Sequence, residues 1–452
     1  MTDIGLKQRF LRAASWTLVG HGLAQVIRLA SNLVLTRLLA PELYGVMSVG
    51  YVVITGLWMF SDVGTGAGAI QNKRGDDPTF LNVSWVVQIA RGFVITLAAL
   101  FVAASLGWAQ AAGWVPANSV YADAQVPLLI AVISAYGIIS GFESTRTIWA
   151  RRHLSLGRIT QIELGCQVAT TLFQLVWAAI SPSLWTLAGG WLFGAALKVV
   201  LTHTVLPGPP NRLQWDRATF REVFDFGKWV FVSSSVSFFL SSGDRLLLGG
   251  FLDAKTMGYY TVALLLVSAL QDGVMRVVGN AVLPALGELA RQRPEKLRQT
   301  LYRIRWPLDI VCVLCAGALV LLGDPAVRLL YDKRYADAGW MLSVLGLTLL
   351  ATRLSVFDQC LVAMGRIKLL SLLNASRLVA LYVSVPLGYA LFGTPGAIIA
   401  VAASSFVNCA CVLAVQWRLG LLDIRRELFA LPLFAVGLGL GWGITLLLRL
   451  RG

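Results

Sequence analysis

Charge is what this sequence has least of. Asp, Glu, Lys and Arg supply 13% of its 452 residues, about half of the roughly 25% a soluble domain carries. Hydrophobic residues supply 57%, and mean hydropathy is +0.71. A polytopic membrane protein follows, with little chain left for a separate soluble domain. Acid is scarcer than base, 23 residues against 38, giving a net charge of +15. The excess sits in short connections between apolar runs, the pattern of the positive-inside rule, so no nucleic-acid partner is expected. The three histidines, His21, His153 and His203, are too scattered for a metal site. All six cysteines lie in apolar runs, and Cys312-x-x-Cys315 sits in VCVLCAGALVLL, a lipid-type helix. Buried small residues are therefore expected rather than a redox or zinc centre. No Walker-type motif is present, and GTGAG at 64–68 lacks a following Lys-Ser/Thr. It reads as helix packing, so neither ATP drive within this chain nor any cofactor is expected. A secretory signal is not expected either, because the first apolar run is too long and Arg28 and Asn32 interrupt it.

What is there is a succession of apolar runs. A hydrocarbon core about 30 Å thick needs about 20 apolar residues per helix. Thirteen segments qualify: 14–37, 43–68, 81–107, 125–147, 159–181, 184–206, 228–250, 258–284, 306–323, 341–364, 369–391, 396–417 and 427–448. With the N-terminus in the cytoplasm, inner connections hold 24 basic residues and outer ones 7, which sets the expected orientation. The outer loops are short. Segments 216–226 and 294–305 read as basic amphipathic helices at the membrane surface.

A weak internal repeat joins the halves. LLAPELYGVMSV at 38–49 and FLDAKTMGYYTV at 251–262 align at an offset of 213, pairing Gly45 with Gly258. The offset spans six helices, an even number, so the two halves run in the same direction, as in transporters built from parallel repeats. The expected organisation is a six-helix bundle over 1–206, a linker with an amphipathic helix over 207–227, a second bundle over 228–417, and an extra C-terminal span over 418–452.

Five arginines lie deep in the apolar segments: Arg28, Arg91, Arg245, Arg353 and Arg377. A basic residue near the bilayer centre costs about 2.5–3.5 kcal/mol on insertion scales, so such residues normally face a polar cavity. His21, Gln25, Arg28 and Asn32 fall within an arc of about 60° on the first helix. Ser84, Gln88 and Arg91 share a face of the third, and Asn374 and Arg377 are neighbours on the eleventh. At the repeat offset, Asn32 meets Arg245. Guanidinium groups bind phosphate oxygens bidentately and stay charged at any relevant pH. Several converging in a cavity suit a pyrophosphate or polyanion. Asp358 is five residues from Arg353, on another face, and does not neutralise it locally. Asp244 points about 100° from Arg245 and needs another partner. Asp62 stands alone toward the inner end of the second helix, and Asp62 and Asp244 are candidate coupling residues.

The phrases TRLLAPELYGVMSV (36–49), FSDVGTGAGAIQ (60–71), RRHLSLGRITQIEL (151–164) and SGDRLLLGGFLDAKTMGYYTVA (242–263) resemble the oligosaccharide flippases, the polysaccharide-transporter branch of the multidrug/oligosaccharidyl-lipid/polysaccharide exporter superfamily. The resemblance implies an all-α membrane protein of two parallel six-helix bundles around a central cleft, and alternating access. Members have twelve or fourteen spans, so a count of thirteen implies one or two extra C-terminal helices. It also implies a lipid-linked oligosaccharide substrate, moved from the cytoplasmic to the outer leaflet of a bacterial inner membrane for exopolysaccharide, capsule or O-antigen synthesis. Membrane lipids, and a polysaccharide polymerase or export machinery, are the implied partners. The five arginines with His21, Gln25, Asn32, Gln88 and Asn374 would then line the cleft. A cation-coupled drug antiporter of the same superfamily is the alternative, disfavoured by the arginine excess. A membrane-embedded glycan polymerase or ligase ranks below it because the outer loops are short, so no enzyme activity is expected.

Overall fold

In a computed structural model, residues 3–61, 74–153, 155–282, 286–287, 289, 292 and 294–451 are described. Among them the chain is helical, with no strand. It divides into two compact units, residues 1–242 and 243–452. Among the described residues, eight helices are long and apolar enough to cross a membrane, or nine if a pair bent by 59° is counted as one span.

Unit 1 begins with α1 (Asp3–Leu38) and α2 (Pro41–Phe60). Pro41 opens α2 at a position whose N–H would lack an intrahelical partner anyway. Asp77 caps α3 (Pro78–Ala111) by accepting from the Thr79 N–H at 2.9 Å. The apolar run 125–147 is broken into α4 (Gln125–Ile133), α5 (Ala135–Gly141) and α6 (Arg146–Arg152). Thr96 of α3 donates to the Ser134 carbonyl at the first break. Helices α7 (Leu156–Ile180) and α8 (Leu184–Thr204) follow. α7 packs on α1, where Gln167 donates to the Ala24 carbonyl. The segment after α8 is strapped to unit 1: Arg146 donates to the carbonyls of His203, Leu206 and Pro209. Asn82 of α3 donates to the Gln214 side chain and accepts from the Arg212 N–H. The connection expected as a linker is thus hydrogen-bonded to unit 1. The amphipathic segment 216–226 forms the start of α9 (Arg217–Phe251), and the unit boundary falls inside that helix.

Unit 2 contains the end of α9, α10 (Ala254–Val277) and α11 (Leu297–Leu330). Another broken run follows, α12 (Ala338–Gly346), α13 (Leu349–Thr352) and α14 (Ser355–Ala363). The next helical stretch, α15 (Ile367–Arg418), folds back at Gly393, whose φ of 63° a residue with a Cβ adopts only at a cost. It thereby covers the two expected segments 369–391 and 396–417. α16 (Ile424–Leu428) and α17 (Ala430–Arg451) complete the chain. α17 packs on α11 through small residues. A Cβ at Gly437 would lie 2.5 Å from the Leu314 carbonyl oxygen, and one at Gly441 would lie 2.7 Å from that of Ala318. This four-residue spacing of glycines lets the two backbones touch, the usual device where helices meet in lipid.

The repeat runs through both units. α2 and α10 start at 41 and 254, and single turns of 3₁₀ helix occupy Val120–Ala122 and Lys333–Tyr335. The helices Gln125–Ile133 and Ala338–Gly346 begin and end at the same offset of 213. Core positions correspond as well: Leu39 and Leu252 are buried, as are Val49 and Val262. Gly393 corresponds to the end of α7, which marks the same helix-to-helix turn in both units.

Candidate functional site

The intramembrane arginines differ in burial: Arg28 and Arg377 are exposed, Arg245 and Arg353 are half-buried, and Arg91 is buried. Arg28 on α1 is exposed, and His21, Gln25 and Asn32 beside it are half-buried. In unit 2, Arg377 on α15 is exposed and Asn374 half-buried. Asp358 of α14 lies within electrostatic reach of Arg377. Exposed guanidinium groups in the middle of apolar helices require a polar surrounding in a membrane.

Arg91, on α3, packs against the C-terminal end of α2. It donates to Ser61 Oγ at 2.9 Å and to the Trp58 carbonyl at 2.5 Å, and its guanidinium sits 4.2 Å from the Trp58 ring centre. A cation here complements the negative end of the helix dipole. Gln88, one turn away, donates to the carbonyls of Ser140, Gly141 and Glu143 at 3.0–3.2 Å. The Ser140 carbonyl also accepts from the Glu143 N–H in the turn, while those of Gly141 and Glu143 lie where α5 breaks before α6, so Gln88 satisfies backbone that the bilayer would leave unpaired. Lys198 on α8 forms an ion pair with Glu143 at 3.0 Å.

Arg353 belongs to a buried ion cluster in unit 2. It lies 3.4 Å from Asp309 and 3.0 Å from Glu427. Arg305, fully buried, reaches Asp309 at 3.0 Å and Glu427 at 2.5 Å. Two guanidinium groups are thus balanced by two carboxylates, with Glu427 bridging both arginines. Tyr302 donates to Glu427 at 2.8 Å and accepts from the Asp423 N–H, and Arg305 stacks on its ring. The cluster ties α11, the α13–α14 break and α16 together. Glu427 reaches it because Asp423 caps α16, turning the chain inward ahead of α17. The sequence carried one signal of this: Asp309 stands inside the apolar run 306–323 with no local explanation except Arg305 four residues before it.

Asp244 accepts a short hydrogen bond from the hydroxyl of the fully buried Tyr260. Arg245, half-buried, is 4.0 Å from the same carboxylate. Asp62, the other candidate coupling residue, and GTGAG at 64–68 lie outside the described residues.

The end of unit 1 that carries the basic connections is laced with ion pairs. Arg74 contacts Asp77 at 2.7 Å and Glu222 of α9 at 3.3 Å, and Arg152 contacts Asp76 at 3.0 Å. The Arg74 guanidinium, with the Thr79 N–H, holds the Asp77 carboxyl below its ordinary value of 3.8.

Residues 34–340 match a family described as polysaccharide biosynthesis protein. The chain belongs to this family. All four phrases that carry the flippase resemblance begin and end inside those residues, so the expected kinship with the glycan exporters holds. The chain is 20% identical over 337 residues to the lipopolysaccharide biosynthesis protein WzxC of Escherichia coli (strain K12), covering 74% of this chain and 65% of that protein. It is 21% identical over 345 residues to the succinoglycan biosynthesis transport protein ExoT of Rhizobium meliloti (strain 1021), covering 75% and 65%. The match thus spans just under two thirds of either relative. Lipid II flippase MurJ in an inward closed conformation superposes with a TM-score of 0.66 at 10% identity, over 95% of this chain and 97% of that one. The fold is therefore of this type.

Proposed function

We propose that the protein flips an oligosaccharide linked to polyprenyl pyrophosphate from the cytoplasmic to the outer leaflet of the bacterial inner membrane. The movement is by alternating access, with the N-terminus in the cytoplasm. The observation that carries the reading is that Arg28 and Arg377, exposed in mid-helix, present fixed positive charge in both units of a chain from a polysaccharide biosynthesis family. Guanidinium pairs with diphosphate oxygens bidentately, and exposed arginines suit an anionic headgroup. His21, Gln25, Asn32 and Asn374 stand beside these arginines and supply hydrogen bonds to phosphate or sugar. Arg245, half-buried and 4.0 Å from Asp244, is a further cation of unit 2 in this reading. Arg91 and Gln88 act from within unit 1 by holding α3 to α2 and α5, and Arg353 acts within unit 2 by holding the α13–α14 break to α11 and α16. A cation-coupled drug antiporter would favour acidic residues at these positions. The partner machinery is a polysaccharide polymerase or exporter that consumes the flipped glycan. The test is complementation: Arg28→Ala and Arg377→Ala, inserted at normal level, should each fail to restore glycan export in cells lacking the gene. Wild-type export from both variants would reject the reading.

A further inference from the structure

We infer that a ladder of aromatic rings in unit 1, formed by Tyr51, Trp191, Tyr136 and Trp58, is the surface that recognises the sugar part of the substrate. The inference rests on the flippase reading above and adds to it the place where the glycan binds.

Tyr51 and Trp58 stand seven residues apart on α2, and Trp191 and Lys198 stand seven apart on α8, so each pair shares a helix face. The two faces meet around Tyr136 of α5. Tyr136 stacks on Trp191 with ring centres 4.5 Å apart and planes 15° apart. Tyr51 lies 5.6 Å from Trp191 on one side, and Trp58 meets Tyr136 edge-on at 5.9 Å on the other. The ladder ends on the Arg91 guanidinium over Trp58. It is not closed over by the unit: Tyr51 is 42% exposed and Trp191 is only half-buried. Among the described residues, the hydroxyls of Tyr51 and Tyr136 and the indole N–H of Trp191 enter no hydrogen bond.

The neighbouring charges argue that this wall faces a polar space. Lys198 and Glu143 form their 3.0 Å pair close enough to Tyr136 to act on its hydroxyl. Charged side chains at membrane depth turn to protein or a water-filled cavity, not to lipid. The same pair argues against a phosphate ligand. Glu143 cancels Lys198, and the Arg91 guanidinium at the end of the ladder is buried and already donates to Ser61 and the Trp58 carbonyl. The pair also argues against a prenyl chain, which would gain nothing from a carboxylate, an ammonium and three polar tips that make no hydrogen bond among the described residues. A pyranose fits both features. Its C–H face packs on an aromatic ring, and its hydroxyl rim needs mixed donors and acceptors at the edge. Pockets that combine aromatic faces with a few placed polar groups are the common form of small-molecule sites.

The test uses the full-length protein in lipid nanodiscs and two probes: bare undecaprenyl pyrophosphate, and the glycan-bearing lipid extracted from host cells lacking this gene. Wild type should bind the glycan-bearing lipid more tightly than the bare one. Tyr51→Ala should weaken the glycan-bearing lipid by about 3- to 10-fold, the range that one aromatic face contributes, and leave the bare lipid unchanged. Tyr51→Phe, which keeps the ring, should lose less than Tyr51→Ala. Equal binding of the two lipids by wild type, or equal losses for both lipids in Tyr51→Ala, overturns the wall and leaves the flippase reading standing. Binding of neither lipid by wild type overturns both.

Discussion

Replacing Glu427 by Gln should be among the most damaging single changes in unit 2. Its carboxylate bridges Arg305 at 2.5 Å and Arg353 at 3.0 Å, and it also accepts from Tyr302. The side chains of Arg305, Asp309, Arg353 and Glu427 are 0%, 7%, 11% and 12% exposed. Glutamine is nearly isosteric but neutral, so the cluster would keep two guanidinium groups against Asp309 alone. Removing one partner of a buried ion pair costs about 3–5 kcal/mol, because the remaining charge has no water to return to. At about 2–4 °C per kcal/mol for a unit of this size, the melting temperature in detergent should fall on the order of 10 °C. The double variant Glu427→Leu, Arg353→Met removes one charge of each sign and leaves the Arg305–Asp309 pair intact. It should be more stable than Glu427→Gln, which a double-mutant cycle would register as strong coupling. A Glu427→Gln protein melting within a degree or two of wild type would refute the idea that the cluster braces α11 to the C-terminal segment.

Two further outcomes follow from other contacts. Gly441→Val should disrupt the docking of α17 on α11, since its Cβ would lie 2.7 Å from the Ala318 oxygen, whereas Gly439→Val meets nothing within 4 Å and should melt like wild type. The cost at Gly441 should be about 1–3 kcal/mol, typical of forced overpacking. Asp77→Asn keeps the helix cap but loses the Arg74 pair. Because the folded pKa of Asp77 is depressed below 3.8, its stabilising contribution is present above that value and lost as pH falls through the folded pKa. Thermal melts should therefore show a constant gap between wild type and Asp77→Asn from about pH 7 to pH 5, closing below about pH 4.

Local features of the fold were legible because helix length and apolar runs are local properties. The repeat offset of 213, inferred from a few matched residues, reappears in the helix starts at 41 and 254 and in the paired 3₁₀ turns. Two kinds of feature were not legible. Helix breaks inside apolar runs, such as that between Gly141 and Arg146, leave the hydropathy of the run unchanged. Partners distant in sequence leave no periodic trace: nothing local to Arg353 reveals Glu427, 74 residues away. Arg305 closes the basic amphipathic segment 294–305, yet it is fully buried. Gln88 shares a face with Arg91, as its spacing indicates, but only the break of α5 shows that its amide meets the carbonyls at the end of that helix.

The central claim is the movement of a lipid-linked glycan between leaflets. The most direct measurement is the sidedness of polyprenyl-pyrophosphate glycans in cells lacking the gene, read by protection of the glycan from an enzyme added to the outer face of spheroplasts. Accumulation of one glycan-bearing species on the cytoplasmic leaflet, cleared by wild-type protein but not by Arg28→Ala, is the expected result. An unchanged distribution across the two leaflets would contradict the account.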